Sequence, residues 1–293
     1  MNGSIRRLKV RNTAILLGFF AIVSGSAAVF AAPGVEALGA REVGEVRWNL
    51  SDSDLMAIAA RGSSDREQQE IGFRATFSPR GVEGFAKTAQ GRIDFRSALL
   101  LDGRVRVEHT LAGKRGTLAL VVDRFARRAE PEFPVRFELS AADRFALRAL
   151  ALALERQIAA TTFENSAEAD LLLRATRLWG DHPLGTVAVR TIQAPLEKSW
   201  TNLCGVTRAN LSHDATNHGL LTESLATGPS ASNCRARCGA GCIAILGTSA
   251  WTVDCGEHDR CEQTHSCCVS CQDEFNSASD DYLFASNCRL SGW

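Results

Sequence analysis

The chain has 293 residues, 45% of them apolar and 23% charged, enough for a sizeable core and for more than one folded unit. Its formal net charge is zero, so it lacks the overall positive field that nucleic-acid binding draws on. The balance is uneven: residues 201–293 hold five Arg, no Lys and ten acidic residues, an acidic end that needs a bridging cation to meet a phosphate-bearing partner.

At the start of the chain, Arg6, Arg7, Lys9 and Arg11 precede the apolar run TAILLGFFAIVSGSAAVFAA and then Pro33. A basic segment, an apolar stretch and terminal small residues predict a secretory signal peptide over residues 1–32, with a cleavage site after Ala31. The alternative is an uncleaved N-terminal membrane anchor, because the run approaches the roughly 20 residues that span a bilayer; Ser24, Gly25 and Ser26 weigh against it. Both readings place the rest of the chain, secreted or anchored, outside the cytoplasm.

Residues 33–140 read as a β-rich region of unassigned role. IGFRATF, RIDFRSALLL, RVRVEHTL, TLALVVDRF and VRFELS alternate or cluster apolar residues between glycine-bearing turns, the pattern of strands. A helical pair and linker follow over 141–200. Ser140 caps AADRFALRALALALERQIAA, and NSAEADLLLRATRLWG runs to Gly180. His109 and His182 stand alone in sequence, which suits structural roles. The boundary to the last unit falls after Trp200.

All ten cysteines lie between Cys204 and Cys288. An even number in a short extracytoplasmic segment predicts a disulfide framework over residues 201–293. Within it, CRARCGAGC sets glycines beside cysteines. Glycine lets a backbone turn sharply, and such a loop can turn carbonyl oxygens toward a hard cation, which takes six to eight oxygen ligands. Downstream, SAWTVDCGEHDRCEQTH predicts a helix with Cys255, His258 and Glu262 on one face. Cysteines on either side of His258 can tie that helix at two levels and fix the directions of His258 and Asp259. A second helix, CVSCQDEFNSASDDYLFASNC, carries an apolar stripe of Phe275, Ala278, Tyr282 and Ala285. Asp281 lies at the stripe's edge and is the candidate to hydrogen-bond His258; Glu274 is a weaker one, and Asp280 is expected to face solvent.

CGAG followed by DCGEHDRC resembles secreted phospholipase A2, in the compact bacterial form that lacks a long β-wing. The resemblance covers about Asn233 to Cys288. It implies a small disulfide-stapled α-helical domain, so that the whole chain is α+β. It implies His258 as general base with Asp281 as its partner, and Asp259 as a calcium ligand beside carbonyls of Arg237, Gly239 and Gly241. It also suggests a Cys238–Cys255 bridge. The activity implied is calcium-dependent hydrolysis of the sn-2 ester of glycerophospholipids at a membrane or micelle surface. The family's paired cysteines before the histidine are absent here, since Asp254 precedes Cys255, and Tyr282 is the chain's single tyrosine. Three rivals stand beside this reading: a chance pairing of His258 with Asp259, since His213-Asp214 repeats the pair without a framework; a secreted, non-catalytic disulfide-rich module on the same scaffold; and a zinc site drawn from Cys234, Cys238, Cys242, His258 and Cys261. No oligomeric state follows from the sequence.

Overall fold

The computed structural model describes residues 41–49, 70–133, 136–159, 166–187, 190–215, 219–228, 235–239, 249–265 and 271–288. The expected signal segment 1–32 and Gly241 lie outside them, as do Cys234 and Cys242. Residues 38–293 form one compact unit.

The chain first builds a meander. Strands β1 (Arg41–Asn49), β2 (Glu70–Ser78), β3 (Gly81–Thr88), β4 (Gly91–Leu99), β5 (Val105–Leu111), β6 (Leu118–Asp123) and β7 (Arg128–Pro131) pair in sequence order, each antiparallel to the next. Alternation decides which face is covered. Ile71, Phe73, Ala75 and Phe77 of β2 point inward, as do Ile93 and Phe95 of β4 and Val105, Val107 and Leu111 of β5. Phe73 and Phe95 stack across the sheet at 5.6 Å. Short β8 (Glu138–Leu139) and β9 (Gly185–Thr186) pair apart from the sheet, while β10 (Ile192–Gln193) extends it beyond β7. The expected strand VRFELS is thus reduced to the two residues of β8 among those described.

Helices α1 (Ala141–Ala159) and α2 (Ala167–Asp181) lie on the inward face of the sheet. The α2 cap is the serine of NSAEAD: the Ser166 hydroxyl accepts from Ala169 N–H at 3.3 Å. Helix α1 is buried on nearly all sides, the mark of a central helix. Behind the pair lie α3 (Val253–His265) and α4 (Gln272–Phe284), which pack on each other, with α4 also against α2. A hairpin of β11 (Arg208–Ala215) and β12 (Gly219–Ala226) leans on α3. The result is a sheet, a helical middle layer and a cysteine-rich helical layer sharing one apolar core, from Phe73 through Leu147 and Leu172 to Cys255 and Phe275. No described helix is long and apolar enough to cross a membrane.

Three disulfides join described residues: Cys204–Cys288, Cys238–Cys255 and Cys261–Cys271. Both cysteines that bracket His258 are therefore bridged, one to the glycine loop and one to the start of α4.

Candidate active site

Helix α3 starts at Thr252, whose hydroxyl accepts from Cys255 N–H at 3.2 Å. Gly256 on its first turn lets the helix approach Leu211 of the hairpin and Ala236 of the loop; a Cβ there would lie 3.0 Å from both side chains. The loop residues 235–239 are pinned from two sides. Arg237 pairs with Trp251 through its neighbours, Cys238 N–H to Ala250 O and Thr252 N–H to Ala236 O, each 3.0 Å. The peptide groups of Arg237 itself therefore turn away from that strand. On the other side Asp259 Oδ2 accepts the Ala236 N–H at 2.8 Å. The His-Asp helix and the glycine loop thus meet through a disulfide and a carboxylate–amide bond. Gly239 has φ +116°, a left-handed conformation, and a Cβ there would fall 2.5 Å from Arg177 Cδ; only glycine meets both demands.

His258 is 1% exposed. Neither ring nitrogen has a hydrogen-bond partner among the described residues. The expected His258–Asp281 hydrogen bond is not formed. The nearest acid is Glu262, one helical turn on, at 3.9 Å from Nε2. The Phe275 ring meets the imidazole edge to face at 5.4 Å, and His182 packs on the same ring at 4.8 Å. Burial lowers the His258 pKa; Glu262 and Asp181 oppose this, while Arg144 and Arg148 add to it. Burial therefore favours the neutral imidazole.

Asp281 has other partners because Lys198 reaches in from the linker. Its ammonium lies 2.7 Å from Asp280, 3.0 Å from Asp281 and 3.5 Å from Asp254. Asp280 was expected to face solvent and is instead buried on this lysine. Asp281, desolvated and close to Asp254, is pushed up to about 7. A periodicity argument places both aspartates on α4 correctly but carries no information about a lysine 82 and 83 residues earlier.

The acids around His258 come from elsewhere. Asp181, the last residue of α2, receives Arg148 Nε at 2.9 Å and the Tyr282 hydroxyl at 2.8 Å. Glu262 receives Arg144 and Arg148, the latter at 3.2 Å. Both arginines also donate to Gly180 O, at 3.1 and 2.9 Å, closing the C-terminus of α2. Although burial raises the Glu262 pKa, the two arginines overcome it and bring the carboxyl to about 2. Asp259 moves the other way: burial and the neighbouring Asp181 raise it well above the ordinary carboxylate value.

A second buried charge cluster lies alongside. Glu155 of α1 receives Arg237 Nη2 at 2.5 and 2.7 Å, and Arg177 Nη2 lies 3.0 Å away. Arg237 Nε also donates to Ser249 at 2.8 Å. The residue expected to lend only its carbonyl thus anchors its loop to the middle layer through its side chain.

Metal-ligating side chains gather in two places among the described residues: Cys261, Cys271 and Glu274, and Asp254, Asp280 and Asp281. The first two thiols are a disulfide, and Lys198 sits among the aspartates. With Cys238 and Cys261 both bridged, the zinc reading loses two of its ligands. Asp259 and the loop offer a different set, one carboxylate beside backbone carbonyls, which is the oxygen chemistry of a hard cation. A carboxyl whose charge is disfavoured by burial and a neighbouring acid is stabilised by a nearby cation; the set identifies no particular ion.

Compared with protein-family models, curated proteins and solved structures, the chain matches none of them. What the site can do rests on its own geometry: a neutral buried imidazole beside a carboxylate that is bonded to a glycine-bearing loop.

Proposed function

We propose that the protein is an extracytoplasmic, calcium-dependent esterase of glycerophospholipids, acting on the sn-2 ester with water as nucleophile. The observation that carries the reading is the joining of α3 to the loop: Cys238–Cys255 and the Asp259–Ala236 bond hold His258, Asp259 and the carbonyls of Arg237 and Gly239 on one small frame. His258, kept neutral by burial, has a ring nitrogen available to take a proton from water, a step that typically contributes roughly 10²–10⁴-fold. Asp259 and the loop carbonyls would hold the calcium, with Gly241 completing the loop from outside the described residues. When bound, calcium supplies charge stabilisation of the ester oxyanion and a site for the substrate phosphate. Glu262 and Asp181, rather than Asp281, provide the negative field that stabilises the imidazolium once it forms. At 1% exposure, substrate reaches His258 only when Phe275 or the α1 arginines move aside.

That same burial favours a second reading, a non-catalytic module on this scaffold. Release of fatty acid from phosphatidylcholine vesicles, with and without a calcium chelator, separates the two. The esterase reading expects release that stops on chelation and falls at least about 100-fold in His258→Asn. Release unchanged by that substitution, or absent from the wild-type chain with calcium present, overturns it.

A further inference from the structure

The exposed large apolar side chains of the described residues are not scattered. Six stand out to solvent: Leu99, Leu101, Phe125, Leu196, Leu220 and Leu221. Four of them share one end of the sheet. In an antiparallel meander, the turns that follow β2, β4 and β6 emerge on the same edge. Leu99 ends β4 and Leu101 lies in the β4–β5 turn, and Phe125, 90% exposed, tips the β6–β7 turn. Leu196, 64% exposed, joins them from the linker. Contacts between the turns make the edge continuous. Leu99 N–H donates to Arg80 O of the β2–β3 turn at 3.0 Å. Arg104 of the β4–β5 turn reaches Glu130 of β7 at 3.9 Å. Arg127 Nη1 donates to the carbonyls of Pro195, Leu196 and Lys198 at 3.0–3.3 Å, and its guanidinium lies over Trp200 at 4.7 Å.

The opposite edge is the internal control. Its described turns, Thr88–Gly91 and residues 112–117, present alanine, glutamine, glycine, lysine, arginine and threonine, with no large apolar side chain. Folding alone does not require leucine and phenylalanine at turn tips, where they add no core contact.

We infer that this edge is a docking surface for a phosphate-bearing lipid bilayer, with Leu99, Leu101, Phe125 and Leu196 entering the headgroup–acyl boundary. The argument for lipid over another occupant is charge. Arg80 and Arg124 flank the apolar tips, are exposed, and have no ion pair among the described residues; guanidinium is the side chain best shaped for phosphate. The same turns also carry Asp102, Asp123 and Glu197, but arginine predominates, with Arg80, Arg104, Arg124 and Arg127, and apolar tips with such a basic excess match the composition of interfacial membrane anchors. The linker connects this edge to the proposed catalytic helices, because Lys198, two residues beyond Leu196, grips Asp254 on α3 and Asp280 and Asp281 on α4. The inference deepens the esterase reading and rests on it for its purpose, although docking itself needs no hydrolysis.

The test is flotation of the full chain, in chelator so that no hydrolysis occurs, with vesicles of phosphatidylcholine mixed with phosphatidylglycerol. The expected result is binding that falls at least about tenfold in Leu101→Ser/Phe125→Ser and in Arg80→Gln/Arg124→Gln, with melting temperature retained, and that persists in Leu220→Ser. Binding equal in wild type and both edge variants overturns the inference, as does loss in Leu220→Ser alone. Lipid-free dimerisation that Phe125→Ser abolishes would assign the edge to a second copy of the chain and also overturn it. Binding without calcium-dependent hydrolysis sinks the esterase reading and leaves the docking surface standing.

Discussion

The two faces of the middle helical layer share one apolar core and differ in the charges they add to it. Toward the sheet, α1 and α2 meet side chains such as Phe73, Phe95, Val107, Leu118 and Leu120, whose attraction is non-directional and proportional to area. Toward the cysteine-rich layer they present Arg144, Arg148, Glu155, Arg177 and Asp181, all buried and paired. Apolar packing tolerates adjustment; buried ion pairs tolerate little, because each charge removed leaves another without compensation. The first face holds the molecule together, and the second fixes where α3 sits relative to α2 and therefore where His258 is.

The contrast is sharpest under isosteric change. Glu155→Gln conserves shape but leaves Arg177 and Arg237 facing a neutral amide. Burial already brings the Arg177 guanidinium down to about 10, with Glu155 opposing that shift and Arg237 adding to it. The substitution is expected to cost about 3–5 kcal/mol in urea unfolding. Leu120→Met, equally conservative on the sheet side, is expected to cost less than about 1.5 kcal/mol. Equal losses for the two would break the comparison.

A pH-dependent version isolates one group. His109 lies on the sheet face but is polar: it is fully buried, and its Nε2 meets Thr176 Oγ1 at 2.7 Å. The Thr176 proton is directed to Leu172 O at 2.6 Å, so Nε2–H donates and the ring is neutral. Burial lowers its pKa to about 3. The unfolded chain therefore binds a proton near pH 6.5 that the folded chain refuses, and stability is lost as pH falls below that value. His109→Gln keeps a donor and should flatten the wild-type stability curve by about 1.4 kcal/mol per pH unit between roughly pH 6 and pH 4. Parallel curves for the two proteins would mean that His109 is not the group being titrated.

The smallest effect belongs to the solvent side of the sheet. Arg92 and Asp94 form an ion pair with both side chains about half exposed. Asp94→Asn should change stability by roughly 0–1 kcal/mol, with the difference shrinking in salt. A loss as large as that of Glu155→Gln would mean that exposure does not decide what an ion pair is worth here.

Much of the framework was legible because it is local. Alternation marks β2, β4 and β5, a continuous apolar run marks β6, a capping serine and apolar spacing mark α2, and the cysteines mark α3 and α4. Strand β3 was missed because GVEGFAKT carries two glycines and little alternation. The β11–β12 hairpin was missed because RANLSHDA reads as a polar loop. The site was legible only within its motif. Arg144 and Arg148, four residues apart, look like a solvated helical face and are instead buried against Gly180, Asp181 and Glu262. Asp181 ends a helix 77 residues before His258, and no spacing rule connects them. The Lys198 contact that holds Asp281 is equally non-local. Charge partners across layers follow from tertiary packing, and a single sequence states the residues without stating the meeting.

The Cys204–Cys288 bridge spans 84 positions and turns the whole cysteine-rich layer into a covalent ring. One protease cut anywhere inside that ring releases nothing, because both new ends stay tethered through sulfur. The sheet and the first two helices join the ring through a single strand of backbone just before Cys204, so a cut there leaves only non-covalent forces, the shared apolar core and the arginine–carboxylate seam, between His258 and the layer that covers it.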